Sequence, residues 1–357
     1  MEKIRFAVAG TGWRSLFYVR IAKWLPEWFE LTGVLCRTKE RAEAYAKENG
    51  VRTFALLDDL LATQPEFVVS CVNKAGMADM VMELLRRGMP ALSETPYAIE
   101  EETLERLLAV QRETGTLLDC AEQYFLYPTH QAKYAVVWRG VLGDVVSCSL
   151  SMMHDYHGIS MLRRYLGAEN GEVTIRARKT KTPIVKTGDR SGYLTAGEMA
   201  EEVRTFAHFD YADGRLGAYD FSGTQYHSAI RSSHMRILGT RGELVDDTVR
   251  YLTKDNRPLK DDLIVHRDGI TGTIASISFA GETVYRNPFR TDVPMNEDEI
   301  AIATTLLRMG GAVRGGARHY ALEDGVADAL LSIRMHEAAD TGRIISVPMR
   351  QTLPWET

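Results

Sequence analysis

Cysteine is scarce: Cys36, Cys71, Cys120 and Cys148 are the only four in 357 residues, and no two are close enough for a paired-thiolate metal motif. A chain of this length buries about three quarters of its unfolded surface, so it needs neither disulfide nor metal as a staple. Long apolar runs are also missing; none approaches the roughly 20 residues of a membrane span. The start, MEKIRFAVAG, puts a charge pair before a short apolar run and has no cleavage-site pattern, unlike a secretory signal. Basic charge is not in excess: 43 Lys and Arg against 48 Asp and Glu leave a formal net charge of -5. That balance gives no general attraction to nucleic acid. These absences predict a soluble, cytoplasmic protein with neither nucleic acid nor membrane as partner. Walker loops, serine-centred elbows and zinc-peptidase motifs do not occur. His227, Arg231 and His234 form a polar run without a matching carboxylate or thiolate set, so no metal site is predicted.

What is present is a rhythm. IRFAVA at 4–9 reads as a buried strand, 14–25 as a helix stopped by Pro26, ELTGVLC at 30–36 as a second strand and 39–48 as an amphipathic helix. PEFVVSCV, MADMVMELLRRG, PALSE and residues 100–114 continue the alternation. Regular strand–helix spacing predicts a parallel α/β layer over residues 1–120. Beyond it the rhythm breaks into strands at 144–153, 172–182, 203–211 and 216–221, a hairpin at 235–247 and a strand at 273–279. EDGVADALLSIRMHEAADTG carries a helical stripe, expected over about 320–341. Residues 121–357 therefore read as an α+β domain with a mainly antiparallel sheet, and 186–198 and 285–298 as its mobile loops.

AGTGWRS at 9–15 follows the first strand. Gly10 and Gly12 suit a tight turn and close approach of a pyrophosphate at a helix N-terminus, with Trp13 and Arg14 as further candidate contacts. Ser15 replaces the third glycine of the usual fingerprint. The alternative is an ordinary α/β turn that uses no cofactor. After the second strand no acidic residue stands at 34–39, where an NAD site normally has one for the ribose. Arg37 and Thr38 stand there instead, and a guanidinium fork suits a 2′-phosphate. This favours NADP, with NAD possible; the alternative is a solvated basic helix start.

AGTGWRS, CRTKERAEAYA and SETP, followed by GVLGDV, HGISMLRRYLG, RILGTRGEL and YALEDGVADALLSIRMHEAADTGR, resemble the glucose–fructose oxidoreductase / inositol dehydrogenase (Gfo/Idh/MocA) family over about 3–348. The resemblance implies a Rossmann dinucleotide-binding domain joined to an α+β domain with a largely antiparallel open sheet. It also implies NAD- or NADP-dependent chemistry on sugars, cyclitols or related polar small molecules, in a homodimer or homotetramer. SETP matches the family's Glu-Lys-Pro motif, so Glu94 and Pro96 match while Thr95 takes the usual lysine position. Glu94 is then a candidate contact to the cofactor ribose. Within MMHDYHGISMLRRYLG, His157 falls on the family histidine, with Met153 and Ser160 where acidic residues commonly stand. Met77 replaces a histidine after the fourth strand, and Asn73 remains available to ribose or amide.

His157 is the leading proton donor or acceptor because an imidazole exchanges protons near pH 7; a packed, helix-capping histidine is the competing role. AEQY at 121–124 offers Gln123 to the nicotinamide edge and Tyr124 as the second candidate acid. The expected activity is hydride transfer between nicotinamide C4 and a polar substrate. Absence of the lysine leaves an imine reductase or a redox-assisted lyase open, and also a catalytically inactive dinucleotide or metabolite sensor.

Overall fold

A computed structural model describes residues 2–167 and 171–349. The chain divides into two compact units. The first runs through His130 and takes in His266–Ser276 and Arg286–Ala329; the second comprises Gln131–Val265, Ile277–Tyr285 and the chain from Leu330 on.

In the first unit, strands β1 (Ile4–Ala9), β2 (Phe29–Leu35), β3 (Thr53–Phe54), β4 (Phe67–Ser70), β5 (Ala91–Ser93) and β6 (Leu118–Cys120) form one sheet in the order β3-β2-β1-β4-β5-β6. Every pairing in it is parallel. Strands of such a sheet are covered on both faces, which is why β1 and β4 read as continuous apolar runs. The order reverses at β1: the chain goes to β2 on one side and later to β4 on the other. That opens a crevice at the carboxyl ends of these strands. The covering helices are α1 (Ser15–Trp24), α2 (Lys39–Asn49), the single turn α3 (Leu57–Leu61), α4 (Lys74–Arg86) and α5 (Glu101–Thr114). Local chemistry sets their ends. Thr38 and Asn73 cap α2 and α4, accepting from Arg41 N at 3.2 Å and Gly76 N at 2.9 Å, and left-handed Gly50 and Gly115 close α2 and α5.

Helix α6 (Pro128–Trp138) carries the chain into the second unit. There β7 (Val145–Ser151) is followed by α7 (Asp155–Leu166) and β8 (Gly171–Val185). A two-residue pair, β9 (Gly188–Asp189) and β10 (Gly192–Tyr193), leads to β11 (Met199–Tyr211), β12 (Leu216–Phe221), β13 (His234–Gly239), β14 (Gly242–Val245), β15 (Thr248–Leu252) and β16 (Pro258–Asp262). The segment expected as a loop at 186–198 thus contains the small hairpin. With β7 and the C-terminal strand Ile345–Met349, the longer strands form a nine-stranded sheet. It is largely antiparallel; the β7–β12 pair is parallel. The mixed α/β architecture with a second, sheet-based unit is the one expected. Two further strands, β17 (Ile264–Arg267) and β18 (Ile274–Phe279), lead through β19 (Glu282–Arg286) to α8 (Glu297–Val313) and α9 (Leu322–Thr341).

Helix α8 begins inside the segment 285–298 read as a loop. Asn296 accepts from Glu299 N at 2.9 Å while Glu299 Oε2 accepts from Asn296 N at 3.0 Å, a reciprocal capping box. The N-x-x-E spacing that signals such a start was in the sequence and outweighs the polar composition of the stretch.

One buried charge in the second sheet makes a stability prediction. Glu202 on β11 is 3% exposed and accepts from Arg204 at 3.1 Å, Arg231 at 3.0 Å and Thr224 at 3.0 Å. Burial alone pushes its carboxyl up, but the two guanidiniums and the hydroxyl outweigh it and hold the group below the usual carboxylate value. A folded-state pKa below the unfolded one contributes stability above the unfolded value, lost as pH falls through the folded value. Glu202→Gln is therefore expected to cost about 2 kcal/mol at pH 7. The deficit should shrink as pH drops below about 4. Urea unfolding of both proteins at pH 7 and pH 3.5 checks it; an equal deficit at the two values contradicts the assignment.

Candidate functional site

The turn after β1 is shaped by close approach. Gly10 has φ 116°, and a Cβ there would sit 2.6 Å from the Cys71 carbonyl oxygen, so only glycine lets β1 and the end of β4 come this near. A Cβ on Gly12 would meet nothing within 4 Å; here glycine keeps space open. Ser15 resolves the missing third glycine. Its side chain is fully buried, its hydroxyl donates to Gly12 O at 2.7 Å, and it lies 2.8 Å from the Tyr45 hydroxyl of α2. A small hydroxyl with both bonds made fits the helix–sheet contact that glycine usually occupies.

These residues border a cavity of about 530 Å³ at the crevice. Gly10, Gly12, Trp13, Arg14, Arg37 and Asn73 all line it, so six of the sequence-selected residues share one wall. Arg37 is exposed at the β2 end, and Thr38 beside it caps α2. Asn73 spends its side-chain oxygen on the α4 cap, leaving its amide NH₂ group as the donor it can offer. Met77 is buried and receives a contact from the Ser70 hydroxyl at 3.2 Å, so it packs where the resemblance expects a histidine.

Glu94 and Gln123 belong to a polar network on the β4–β6 side. Tyr18 O–H donates to Glu94 at 2.5 Å, and Arg14 Nε lies 3.7 Å from the same oxygen. Arg14 also donates to Asp298 at 3.0 Å. Burial by itself depresses the Arg14 guanidinium, but Glu94 and Asp298 outweigh it and hold the charge firmly on. Burial, and then the Glu94 charge, push the Tyr18 phenol far up, so it stays a donor. The Cys71 thiol is likewise pushed up by burial and by Glu94, and it remains protonated rather than nucleophilic. Asp298 receives Gln123 Nε2 at 3.2 Å and Tyr127 O–H at 2.9 Å. Tyr124 is half-buried, with its ring stacked on Tyr127 at 4.9 Å between centroids. Sequence reasoning missed Tyr18 and Asp298. Tyr18 stands four residues after Arg14, one helical turn on, a usable signal; Asp298 is 175 residues from Gln123 and has none.

His157 lies in the second unit, in the first turn of α7, and is 4% exposed. Its ring is 4.9 Å from that of His154 and 4.5 Å from that of Tyr156. His154 engages the Tyr226 hydroxyl at 2.6 Å through Nδ1 and the Tyr156 hydroxyl at 3.1 Å through Nε2. Asp155, at φ 44°, donates its backbone N–H to the Tyr219 hydroxyl oxygen at 2.8 Å. The Asp155 carboxylate faces His336 Nε2 at 3.0 Å. Gly158 makes this possible, since a Cβ there would lie 2.5 Å from the Tyr219 ring. The helix gathers His154, Tyr156 and His157, which a strand would have scattered to opposite faces. Thr95 joins Pro96 through a cis peptide bond next to Glu94.

A glycine turn at the switch point of a parallel sheet, opening on a cleft with a guanidinium at its β2 end, defines a dinucleotide-binding α/β domain. Residues 4–121 match the model of the Gfo/Idh/MocA oxidoreductase family, described as having an NAD-binding Rossmann fold, and the N-terminal domain belongs to that family. An oxidoreductase from Rhizobium meliloti is 25% identical over 148 residues, 41% of this chain and 44% of that protein, so the chain spans less than half of this curated relative. Solved structures share the fold at full length. An oxidoreductase from Agrobacterium radiobacter, in complex with NAD+, L-tartaric acid and magnesium, superposes with a TM-score of 0.70 at 14% identity, covering 98% of this chain and 99% of its own. The WlbA dehydrogenase from Bordetella pertussis, with NADH and UDP-GlcNAcA, gives 0.65 at 16% identity over 98% and 100%. A UDP-N-acetylglucosamine 3-dehydrogenase from Acidithiobacillus ferrooxidans gives 0.64 at 15% identity over 96% and 99%.

Proposed function

We propose that the protein is an NADP-preferring oxidoreductase acting on a sugar, cyclitol or related polar small molecule. The observation that carries the reading is the cleft: Gly10 lets the turn close against the end of β4, Gly12 leaves room for a pyrophosphate, and Arg37 stands at the end where the adenosine ribose binds in such folds. When bound, the cofactor supplies hydride exchange at its nicotinamide. The chain's own residues do the rest. Gly10 and Gly12 admit the phosphates, and Arg37 pairs the 2′-phosphate with Thr38 beside it. Asn73 and Glu94 take ribose hydroxyls, and Trp13 and Arg14 close the turn. His157 moves a proton at the reacting oxygen or nitrogen, with Tyr124 as the competing acid. The substrate class rests on the family of the N-terminal domain and on sugar nucleotides in structures of the same fold.

Titration of NADPH and NADH against the protein tests the cofactor. Charge-assisted bonds to a phosphate predict at least about ten-fold tighter binding of NADPH. Arg37→Ala should erase most of that difference by weakening NADPH alone. Equal affinities in the parent, or equal losses for both cofactors in the variant, would remove Arg37 from the role. Thr95, where the family motif has lysine, favours one second reading: a dinucleotide-binding sensor that performs no hydride transfer. NADPH binding without turnover of any member of a broad sugar and cyclitol panel would favour it.

A further inference from the structure

Just past β6, one hydrogen-bonded carboxylate away from the cavity-lining Arg14, lies a buried polar atom without a hydrogen-bond partner. Gln123 is 1% exposed, and its Oε1 has none, although its Nε2 is held by Asp298 at 3.2 Å. The orientation of this amide is dictated by chemistry. An ionised carboxylate only accepts, so the NH₂ end must face Asp298 and the oxygen must face the other way. A buried amide oxygen left unpaired is costly, and its persistence calls for a donor that arrives from elsewhere.

The placement says where that donor comes from. Gln123 follows β6, on the half of the sheet opposite to the Arg37 end of the cleft. If the adenosine lies at β2, the nicotinamide lies toward β4, β5 and β6. Asp298, in the first turn of α8, links this region to the cavity wall. It holds Gln123 and Tyr127 through one carboxylate oxygen and, through the other, Arg14, which lines the cavity. Three donors on one carboxylate leave it little freedom, so the Gln123 amide is set in advance of binding.

We propose that Asp298 is a positioning residue for the nicotinamide: it holds Gln123 so that the side-chain oxygen accepts from the NH₂ of the cofactor's carboxamide. This rests on the reading of the cleft as a dinucleotide site. It gives Asp298 a task distinct from phosphate recognition at Arg37 and from proton transfer, and one that no sequence motif marks.

The test uses three probes against the full chain: NADP+, its 3-acetylpyridine analogue, which has a methyl group where the carboxamide carries NH₂, and 2′-phospho-ADP-ribose, which has no pyridine ring. Dissociation constants are measured by calorimetry. The parent should prefer NADP+ over the acetyl analogue by about ten-fold, the worth of one well-made buried hydrogen bond. Asp298→Ala should reduce this preference to about two-fold or less; release of Arg14, which Asp298 also holds, weakens all three probes alike and leaves the ratio of NADP+ to the acetyl analogue to report on the carboxamide. A general loosening of the fold would weaken all three probes together and would not single out the carboxamide. Gln123→Met, close to glutamine in shape, reads the same preference if Asp298→Ala does not fold. Equal binding of NADP+ and the acetyl analogue by the parent overturns the proposal, as does an undiminished preference in either folded variant. Failure of the parent to bind 2′-phospho-ADP-ribose and NADP+ alike overturns the dinucleotide reading itself, and the assignment of Asp298 with it.

Discussion

His157→Asn is expected to slow hydride transfer about a hundred-fold or more, the usual worth of a positioned proton donor or acceptor. Asparagine keeps a polar, similarly sized side chain but cannot exchange a proton near pH 7. The imidazole is buried in the first turn of α7 and packed beside the rings of His154 and Tyr156. His154 is itself bonded by two phenols, Tyr226 and Tyr156, so protons have acceptors and donors next to the proposed group. Single-turnover transfer, measured with whichever panel substrate is turned over, separates chemistry from product release. NADPH affinity, measured alongside, should change little. Tyr124→Phe is the control: a loss there with an unchanged His157 variant would move the proton role to the phenol. An unchanged chemical step in His157→Asn ends its acid–base assignment.

The parallel half of the fold was legible because burial on both faces writes itself into sequence as apolar runs such as IRFAVA and FVVS. The glycine turn was legible for a related reason: a close backbone approach excludes every side chain, so residue identity reports geometry directly. Ser15 was only half legible. That it is tolerated depends on Tyr45, thirty residues on, offering its hydroxyl a partner. The loop read at 285–298 overruns the start of helix α8 only at Glu297 and Asp298, although Asn296 and Glu299 carried the cap signal, because a polar, proline-containing stretch dominates the local composition; the rest of the helix was given no reading. The polar networks lay beyond reading. Asp298 and Gln123 are 175 positions apart, and Asp155 and His336 are 181 apart. No periodicity or spacing rule pairs single charged residues across such distances; only the packing of α8 and α9 brings them to their partners. The sequence therefore names groups with intrinsic chemistry, such as His157 and Arg37, and is silent on the residues that orient them.

Alanine substitutions at the two glycines of the turn, Gly10→Ala and Gly12→Ala, are expected to fail in different ways. At Gly10 the added methyl carbon meets the Cys71 carbonyl at 2.6 Å, and φ is 116°, a region nearly reserved for glycine. Backbone strain there costs about 1–3 kcal/mol, and the contact with a carbonyl of β4's end adds to it because no flexible side chain can yield. Gly10→Ala should therefore lower stability and, by forcing β1 and β4 apart, reduce NADPH binding as well. Gly12 has no atom within 4 Å of the new carbon, so Gly12→Ala should unfold at nearly the parent's urea midpoint. Its methyl group instead occupies space beside the cavity that a pyrophosphate requires. Displacing several phosphate hydrogen bonds, each worth about 1.5–3 kcal/mol when charge-assisted, predicts at least about a hundred-fold loss of NADPH affinity. Urea unfolding and NADPH titration of the two variants distinguish support of the fold from room for the ligand. Parent-like NADPH binding by a folded Gly12→Ala protein would mean that the phosphates do not lie against this turn.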